Sequence, residues 1–452
     1  MAIASPIGTG AISVIRMSGK ESLRILKDII DFKKKPKVRF AHHGWIKDPQ
    51  TGEIVDEVIY VYYESPRSYT GEDMVEIFCH GGILVTKRIL EIILKDGARL
   101  AEPGEFTKRA FLNGKMDLMQ SEAIRDIIES RTEMGLKLST KQLMGNGSKT
   151  LEDIRKRIMM LSMEMEVHID YPEEDLPEED LERWRRELNK IVNEVDEILK
   201  SADWGIILKD GVKVVIMGKT NVGKSTLLNR LLKEDRAIVT DIPGTTRDTI
   251  SEDLNIRGLL LRITDTAGVR KTKDRIEIIG LKKTMEELKK SDFVLFVVDA
   301  SKDVSDEDFE VRRILNENKK KFILILNKID LGMKVDEKKL EELSKGAERI
   351  VKISALTGEG MEELEETIHD TIVNSWIGRK IDDIVITNLR QKEALRKSFE
   401  ALKRALSNFD IYPIDMVSLD LREAVNHIDE ILGRNYTEDL LNGIFSTFCV
   451  GK

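Results

Sequence analysis

Apolar residues recur at alternating steps of three and four over Leu151, Ile154, Ile158, Leu161 and Met165, a spacing that predicts one face of a long helix. The run stops at Tyr171-Pro172 and Pro177, because a proline ring lacks an amide donor and clashes with the preceding turn. The same spacing returns in Leu181, Trp184, Leu188, Ile191, Val195 and Ile198, predicting a second helix whose apolar stripe packs on the first. Upstream, Asp117-Leu118-Met119-Gln120 reads as a capping box that opens a helical region with few turn residues before Gly145. A further helical stretch follows Trp376, carried by Leu395, Leu402 and Leu406, by Val425, Ile428 and Leu432, and by Leu441, Ile444, Phe445 and Phe448.

Between these helical regions the period changes. Gly205, Asp210 and Gly211 precede the strand-like run Val212 to Met217, and further runs at Leu259 to Ile263, Phe293 to Val298, Phe322 to Leu326 and Ile350 to Ile353 alternate with amphipathic helical segments. That alternation predicts a parallel, doubly wound sheet. The start of the chain is different again, with short apolar runs at Ala11 to Ile15 and Val58 to Tyr62 and a helical segment near Leu84 to Leu94, which predicts a compact α+β domain. The expected organisation is multidomain α/β: an N-terminal α+β domain over 1–116, an α/β unit over 209–376, and an all-α helical domain split into 117–208 and 377–452.

A chain of 452 residues exceeds what one hydrophobic core serves, which agrees with several domains. Lys and Arg number 73 against 81 Asp and Glu, so the net charge of −8 advertises no chain-wide surface for a polyanion, and any RNA contact is expected to be local or shared with a partner. No segment is apolar enough to span a bilayer, and Met1 to Pro6 lacks the basic and apolar regions of a secretory leader, so a cytoplasmic location is expected. The two cysteines, Cys79 and Cys449, form no metal-binding cluster and suit a reducing compartment.

Candidate chemistry concentrates in the α/β unit. Gly218-Lys219-Thr220-Asn221-Val222-Gly223-Lys224-Ser225 follows a predicted strand and opens a predicted helix, the context that a phosphate-binding P-loop requires. Backbone amides of Asn221, Val222, Gly223 and the helix start at Ser225 and Thr226 would wrap the phosphates, Lys224 would neutralise the β and γ charges, and the Ser225 hydroxyl would ligate Mg²⁺. Asp265-Thr266-Ala267-Gly268 follows a strand and sets a carboxylate to hold Mg²⁺ through water, with a glycine amide near the γ-phosphate. Asn327-Lys328-Ile329-Asp330 follows another, and the Asp330 carboxylate can accept from both N1–H and the 2-amino group of guanine, which adenine does not offer. Ser354-Ala355 can back the base with a main-chain amide. These four motifs resemble those of Ras-like P-loop GTPases. Thr240-Asp241-Ile242-Pro243-Gly244-Thr245-Thr246 is a polar loop able to fold over the γ-phosphate and to offer Thr246 to Mg²⁺. Val269 stands where Ras-type enzymes carry the glutamine that positions water. Asn221 with the carbonyl-rich loop is therefore read as a holder of a monovalent cation, and Glu277 as the group that orients water; an alternative reading leaves Glu277 on a solvated helix.

Asn221, the Gly244-Thr245-Thr246-Arg247-Asp248 loop, Ser68 to Asp73, His80-Gly81-Gly82, Pro103 to Thr107, Asn113 to Asp117 and the closing Phe448-Cys449-Val450-Gly451-Lys452 together resemble the MnmE (TrmE) family of tRNA-modification GTPases over essentially the whole chain. The resemblance implies a Ras-like GTPase domain inserted in a helical host. It implies a homodimer formed through the N-terminal domain, an FAD-dependent partner, MnmG, and transfer of a carboxymethylaminomethyl or aminomethyl group to C5 of the tRNA wobble uridine. It also implies a reduced folate such as 5-formyl-tetrahydrofolate as one-carbon source, and hydrolysis of GTP activated by K⁺-dependent pairing of the GTPase domains. Motif by motif, it places K⁺ at Asn221, Thr240, Ile242 and Thr245, Mg²⁺ at Ser225 and Thr246, water orientation at Glu277, and folate at Arg16, Glu76, Lys115 and Lys452. Arg16 and Lys115 read from composition alone as surface cations, and Cys449 stays open between a packing role and a reactive one. Family members usually begin a few residues earlier, so the first strand, before Ala4-Ser5-Pro6-Ile7-Gly8, is expected to be short. A switch-type GTPase that only controls association is the alternative; the RNA-binding KH-like module usual in such proteins is not recognisable in the sequence.

Overall fold

The protein is described here as a computed structural model, which covers residues 1–170, 178–234, 251–264, 285–374, 384–409 and 411–452. Its packing divides into two units, one comprising Met1–Ile128, Lys141–Val192 and Glu393–Lys452, the other Glu129–Thr140 and Asn193–Lys392.

In the first unit, β1 (Ala2–Ile3), β2 (Ile12–Ser18), β3 (Ala41–Lys47), β4 (Ile54–Tyr63) and β5 (Met74–His80) form an antiparallel sheet in the order β1-β2-β5-β4-β3. Strand alternation decides its faces. Ile15, Met17, Val75, Ile77, Tyr60 and Tyr62 point into a core with Leu26 and Ile29 of α1 (Ser22–Ile29) and Ile89, Ile92 and Ile93 of α2 (Ile83–Lys95). Arg16 and Glu76, one residue out of phase, share the opposite face in direct cross-strand register. The β3 and β5 segments mix His, Glu and Cys into their apolar runs, which is why only their pairing with β4 and β2 identifies them as strands.

The helices that follow are α3 (Glu105–Leu112), α4 (Leu118–Glu129), α5 (Glu133–Leu143), α6 (Asn146–Asp170) and α7 (Glu178–Asp210). The capping box at α4 forms as the sequence predicts: the Gln120 amide donates to Asp117 Oδ1 at 2.8 Å and the Asp117 amide to Gln120 Oε1 at 3.0 Å. Leu151, Ile154, Ile158, Leu161 and Met165 are all buried along one face of α6. On α7, Trp184, Leu188 and Ile191 are buried as well, and the Trp184 indole donates to Glu164 of α6 at 2.6 Å, satisfying its polar atom as the ring packs.

In the second unit, β6 (Val212–Met217), β7 (Ser251–Ile256), β8 (Leu259–Thr264), β9 (Phe293–Asp299), β10 (Phe322–Asn327) and β11 (Arg349–Lys352) form a sheet in the order β11-β10-β9-β6-β8-β7. Both faces are buried. Val214, Ile216, Leu295, Val297, Ile323 and Ile325 enter one core, while Val215, Met217, Val294, Phe296, Leu324 and Leu326 enter another. α8 (Lys224–Glu234), α9 (Asp306–Glu317), α10 (Glu337–Ser344) and α11 (Met361–Asn374) alternate with the strands. Unlike the wholly parallel sheet expected, β7 runs antiparallel to β8. The two are joined by Arg257 and Gly258, both at positive φ (49° and 89°), the backbone of a tight hairpin that leaves no room for a crossover. Helix α7 also continues through Gly205, where a Cβ would collide with the Ile386 carbonyl; that glycine serves close approach inside the helix.

α12 (Leu389–Asn408), α13 (Ile414–Leu432) and α14 (Glu438–Phe445) complete the chain. α13 lies antiparallel on α6, with Arg155 paired to Asp429 at one end (2.5 Å) and Arg422 to Glu166 at the other (2.6 Å). No helix among the described residues is long and apolar enough to cross a membrane.

Candidate nucleotide site and a second polar site

Strand β6 lies between β8 and β9, where the strand order reverses, and the chain leaves its carboxyl end directly into the Gly218–Gly223 loop before α8 begins at Lys224. Ligands of such sheets bind outside this point. Backbone conformation suits the loop to an anion: Gly218 (φ 149°), Asn221 (φ 64°) and Gly223 (φ 98°) adopt values that gather successive amides into one concavity. At Gly218 a Cβ would strike the Val297 carbonyl, and at Gly223 it would strike the Asn327 side chain. Asparagine is the side-chain-bearing residue that best tolerates the left-handed conformation at 221.

Three side chains hold the loop in shape. The Asn327 amide nitrogen donates to the Val222 carbonyl at 2.8 Å, while its oxygen accepts from the Ala355 amide at 3.0 Å. Lys328, itself at φ 68°, donates to the Asn221 carbonyl at 2.6 Å and to Asp299 at 2.7 Å. Burial works against the charge on Asp299, but the Lys328 ammonium, with the Ser301 hydroxyl and amide, outweighs it and keeps the carboxyl below its ordinary range. Lys219 donates to Asp308 at 2.8 Å and to the Ser305 hydroxyl at 2.9 Å. Inside the loop the Lys224 ammonium donates to the carbonyls of Gly218 and Lys219, both at 2.7 Å.

Asn221, Val222, Gly223, Lys224, Asn327, Lys328 and Ala355 thus converge. Ser225 and Thr226 are exposed on the first turn of α8, where the helix dipole favours an anion. Asp330 is exposed in a 3-10 turn, Ile329–Leu331, two residues beyond Lys328, and Ser354 is fully buried behind Ala355. Thr240, Asp241, Ile242, Pro243, Gly244, Thr245, Thr246, Asp265, Thr266, Ala267, Gly268 and Glu277 lie outside the described residues. The P-loop pattern gives the Lys219 side chain no role and no motif marks Asp299; Ser305-x-x-Asp308 carries a capping-box spacing that flags the helix start, although nothing local links it to the P-loop.

A second polar site lies on the open face of the first unit's sheet. Arg16 pairs with Glu76 at 2.8 Å, both nearly buried, and Tyr63 donates to the other Glu76 oxygen at 3.1 Å. The guanidinium stands over the rings of Tyr69 and Phe106, 5.3 and 5.6 Å from their centroids. It also donates to the Gly451 carbonyl at 3.1 Å, which brings the carboxyl-terminal tail to this site. The tail is fastened to the start of α3 by the Phe106 amide, donating to the Lys452 carbonyl at 3.1 Å, and by a bridge between Pro103 and Val450. Lys115 donates to the Pro66 carbonyl at 3.0 Å and its stem lies beside Gly71, on the loop that carries Tyr69. Cys449 is exposed, whereas Cys79 is buried and its thiol is pushed up by burial.

A phosphate loop closed against the Asn327-Lys328-Ile329-Asp330 loop by one buried asparagine is the arrangement of a P-loop GTPase domain, and it lies within the second unit. The model of the GTP-binding protein TrmE N-terminus matches residues 1–115, and that of the MnmE helical domain matches residues 118–449. The tRNA modification GTPase MnmE of Thermotoga maritima is 49% identical over 455 residues, covering 100% of this chain and 99% of that protein. Those of Thermoanaerobacter sp. (strain X514) and Aquifex aeolicus are each 45% identical, over 100% of this chain and 98% and 99% of theirs. The chain belongs to the MnmE family of tRNA modification GTPases.

Proposed function

We propose that the protein hydrolyses GTP in the service of tRNA modification, and that with the FAD-dependent partner MnmG it adds a carboxymethylaminomethyl or aminomethyl group to C5 of the wobble uridine. The observation that carries the GTPase reading is the Asn327 strap, which ties the phosphate loop to the loop bearing Ala355 and lies three residues before Asp330. In this reading, residues 209–376 form the GTPase domain, inserted between the helical halves 117–208 and 377–452, with 1–116 as the folate-binding and dimerising domain.

Asp330 selects guanine through its carboxylate, and the Asn221 to Thr226 amides with Lys224 take the phosphates. Ser225 and Thr246 are the Mg²⁺ ligands, and Asn221, Thr240, Ile242 and Thr245 hold K⁺; the two ions would supply positive charge to the phosphates as negative charge develops in hydrolysis. The left-handed Asn221 backbone and exposed Ser225 fit this role. Glu277 orients the attacking water, replacing the glutamine that Val269 cannot supply. Arg16, Glu76, Lys115 and Lys452 are the folate residues. Tyr69 and Phe106 beside Arg16 suit the flat pterin of a folate, which would supply the one-carbon unit to the uridine; Cys449 stands near enough in sequence to share that site.

The deciding experiment is GTP turnover in potassium against sodium buffer, with ATP as control. A large potassium stimulation confined to GTP is expected. Equal rates in the two salts would overturn the cation assignment, and equal use of ATP would overturn the assignment of Asp330.

A further inference from the structure

We infer that Lys219 and Asp308 are positioning residues for the phosphate loop: a buried ion pair that holds the first turn of the P-loop to the start of α9. The inference rests on the nucleotide reading above and concerns residues to which that reading gives no role.

The pair has unusual connections. Asp308 is fully buried and Lys219 nearly so. One carboxylate oxygen, Oδ2, accepts from Lys219 Nζ at 2.8 Å, from the Ser305 hydroxyl at 2.8 Å and from the Ser305 amide at 3.0 Å. The last of these, from the Ser305 amide, is one half of the capping box of α9, so the P-loop lysine is fastened to the group that begins that helix. The other oxygen, Oδ1, is buried with no hydrogen-bond partner among the described residues. A buried carboxylate satisfied on one side only depends on its cation.

The backbone of Lys219 supplies the link to chemistry. Its carbonyl, with that of Gly218, accepts from the Lys224 ammonium. Fixing the Lys219 side chain therefore fixes the peptide against which the phosphate-binding ammonium rests. Opposite this anchor, Lys328 and Asn327 hold the carbonyls of Asn221 and Val222. The loop is thus tied at both ends of its turn, and only the Lys219 end is independent of the base-binding loop. Releasing that end leaves Asp330 and the Asn327 strap in place but lets the phosphate amides and Lys224 drift. Affinity should fall in proportion to the phosphates engaged, since a positioned group loses its value over displacements of about an ångström.

The test compares Lys219→Met, Lys219→Arg and Asp308→Asn in the full-length protein. Fluorescent GDP binding is measured with GMP and GTP as competitors, and thermal unfolding reports the folded fraction. Asp308→Asn keeps an acceptor for the helix cap, so a folded variant is available even where Lys219→Met, which leaves the carboxylate uncompensated, does not fold. GDP and GTP affinity should drop on the order of tenfold in Asp308→Asn and Lys219→Met, GMP affinity should change much less, and Lys219→Arg should recover most of the loss. Folded Asp308→Asn with unaltered GDP affinity, or an equal loss for GMP and GDP, would overturn the inference. Wild-type protein that binds no guanine nucleotide would instead overturn the reading on which it rests.

Discussion

The side-chain nitrogen of Asn327 donates to the carbonyl of Val222 at 2.8 Å, joining two loops 105 residues apart in sequence. Its oxygen is engaged by Ala355, and the side chain is 2% exposed, so neither bond can be replaced by water without opening the loops. Asn327→Ala would leave a buried carbonyl and a buried amide without partners, at a cost of about 1–3 kcal/mol each. The expected outcome is a loss of both thermal stability and affinity for every guanine nucleotide, GMP included, measured by unfolding and by fluorescent-nucleotide titration. That pattern differs from the phosphate-dependent loss expected at Lys219.

Asp330 makes a different prediction because it is exposed and, on the proposed reading, its task is discrimination. Asp330→Asn substitutes a donor for one carboxylate acceptor, so guanine loses a charge-assisted bond while xanthine, which presents a carbonyl in place of the 2-amino group, gains one. GTP affinity should fall by about 2–4 kcal/mol with xanthosine triphosphate favoured, and the melting temperature should stay near that of the parent. Competition between the two nucleotides reads this directly; retained GTP preference would remove Asp330 from base recognition.

What could be read in the sequence followed how local each signal is. The P-loop, the Asn-Lys-x-Asp turn and the Asp117–Gln120 cap are short motifs whose geometry depends on neighbours within a few residues, and the described parts of these stand where the motifs placed them. Helix α6 was legible because one face is uniformly apolar, whereas β3, with His42-His43-Gly44, owes its existence to pairing with β4. The turn at Arg257-Gly258 that reverses β7 needed backbone angles to be recognised. Lys219 and Asp308, 89 residues apart, and Arg16 and Gly451, 435 apart, meet only through the fold, so no spacing rule brings them together.

Gly451 tests the contribution of the carboxyl-terminal tail. At φ 96° it sits where side chains are strained, and an added Cβ would meet the Ile3 carbonyl at 2.5 Å. Gly451→Ala should displace the tail from Arg16 at a cost of about 1–3 kcal/mol. On the folate proposal, calorimetric titration with 5-formyl-tetrahydrofolate should then show weakened binding, while GTP affinity, which depends on other residues, stays unchanged. Folate affinity equal to that of the parent would separate the tail from ligand binding.

Glu105 predicts how the first unit responds to acid. Burial by itself raises its carboxyl, but bonds from Arg99, the Glu102 amide and Arg109 outweigh that and bring it down to about 2 from an ordinary 4.5. A carboxyl whose folded value is depressed binds fewer protons folded than unfolded. Its stabilisation is therefore complete above about pH 4.5 and disappears as the pH falls toward 2. Arg99 is 64% exposed, so solvent screening reduces the full linkage value to about 1–2 kcal/mol. Glu105→Gln should accordingly be less stable than the parent by about that amount at neutral pH in urea unfolding, with the two proteins converging as the pH approaches 2. A difference that stays constant across this range would show that Glu105 acts through packing and its neutral hydrogen bonds, with its charge contributing nothing.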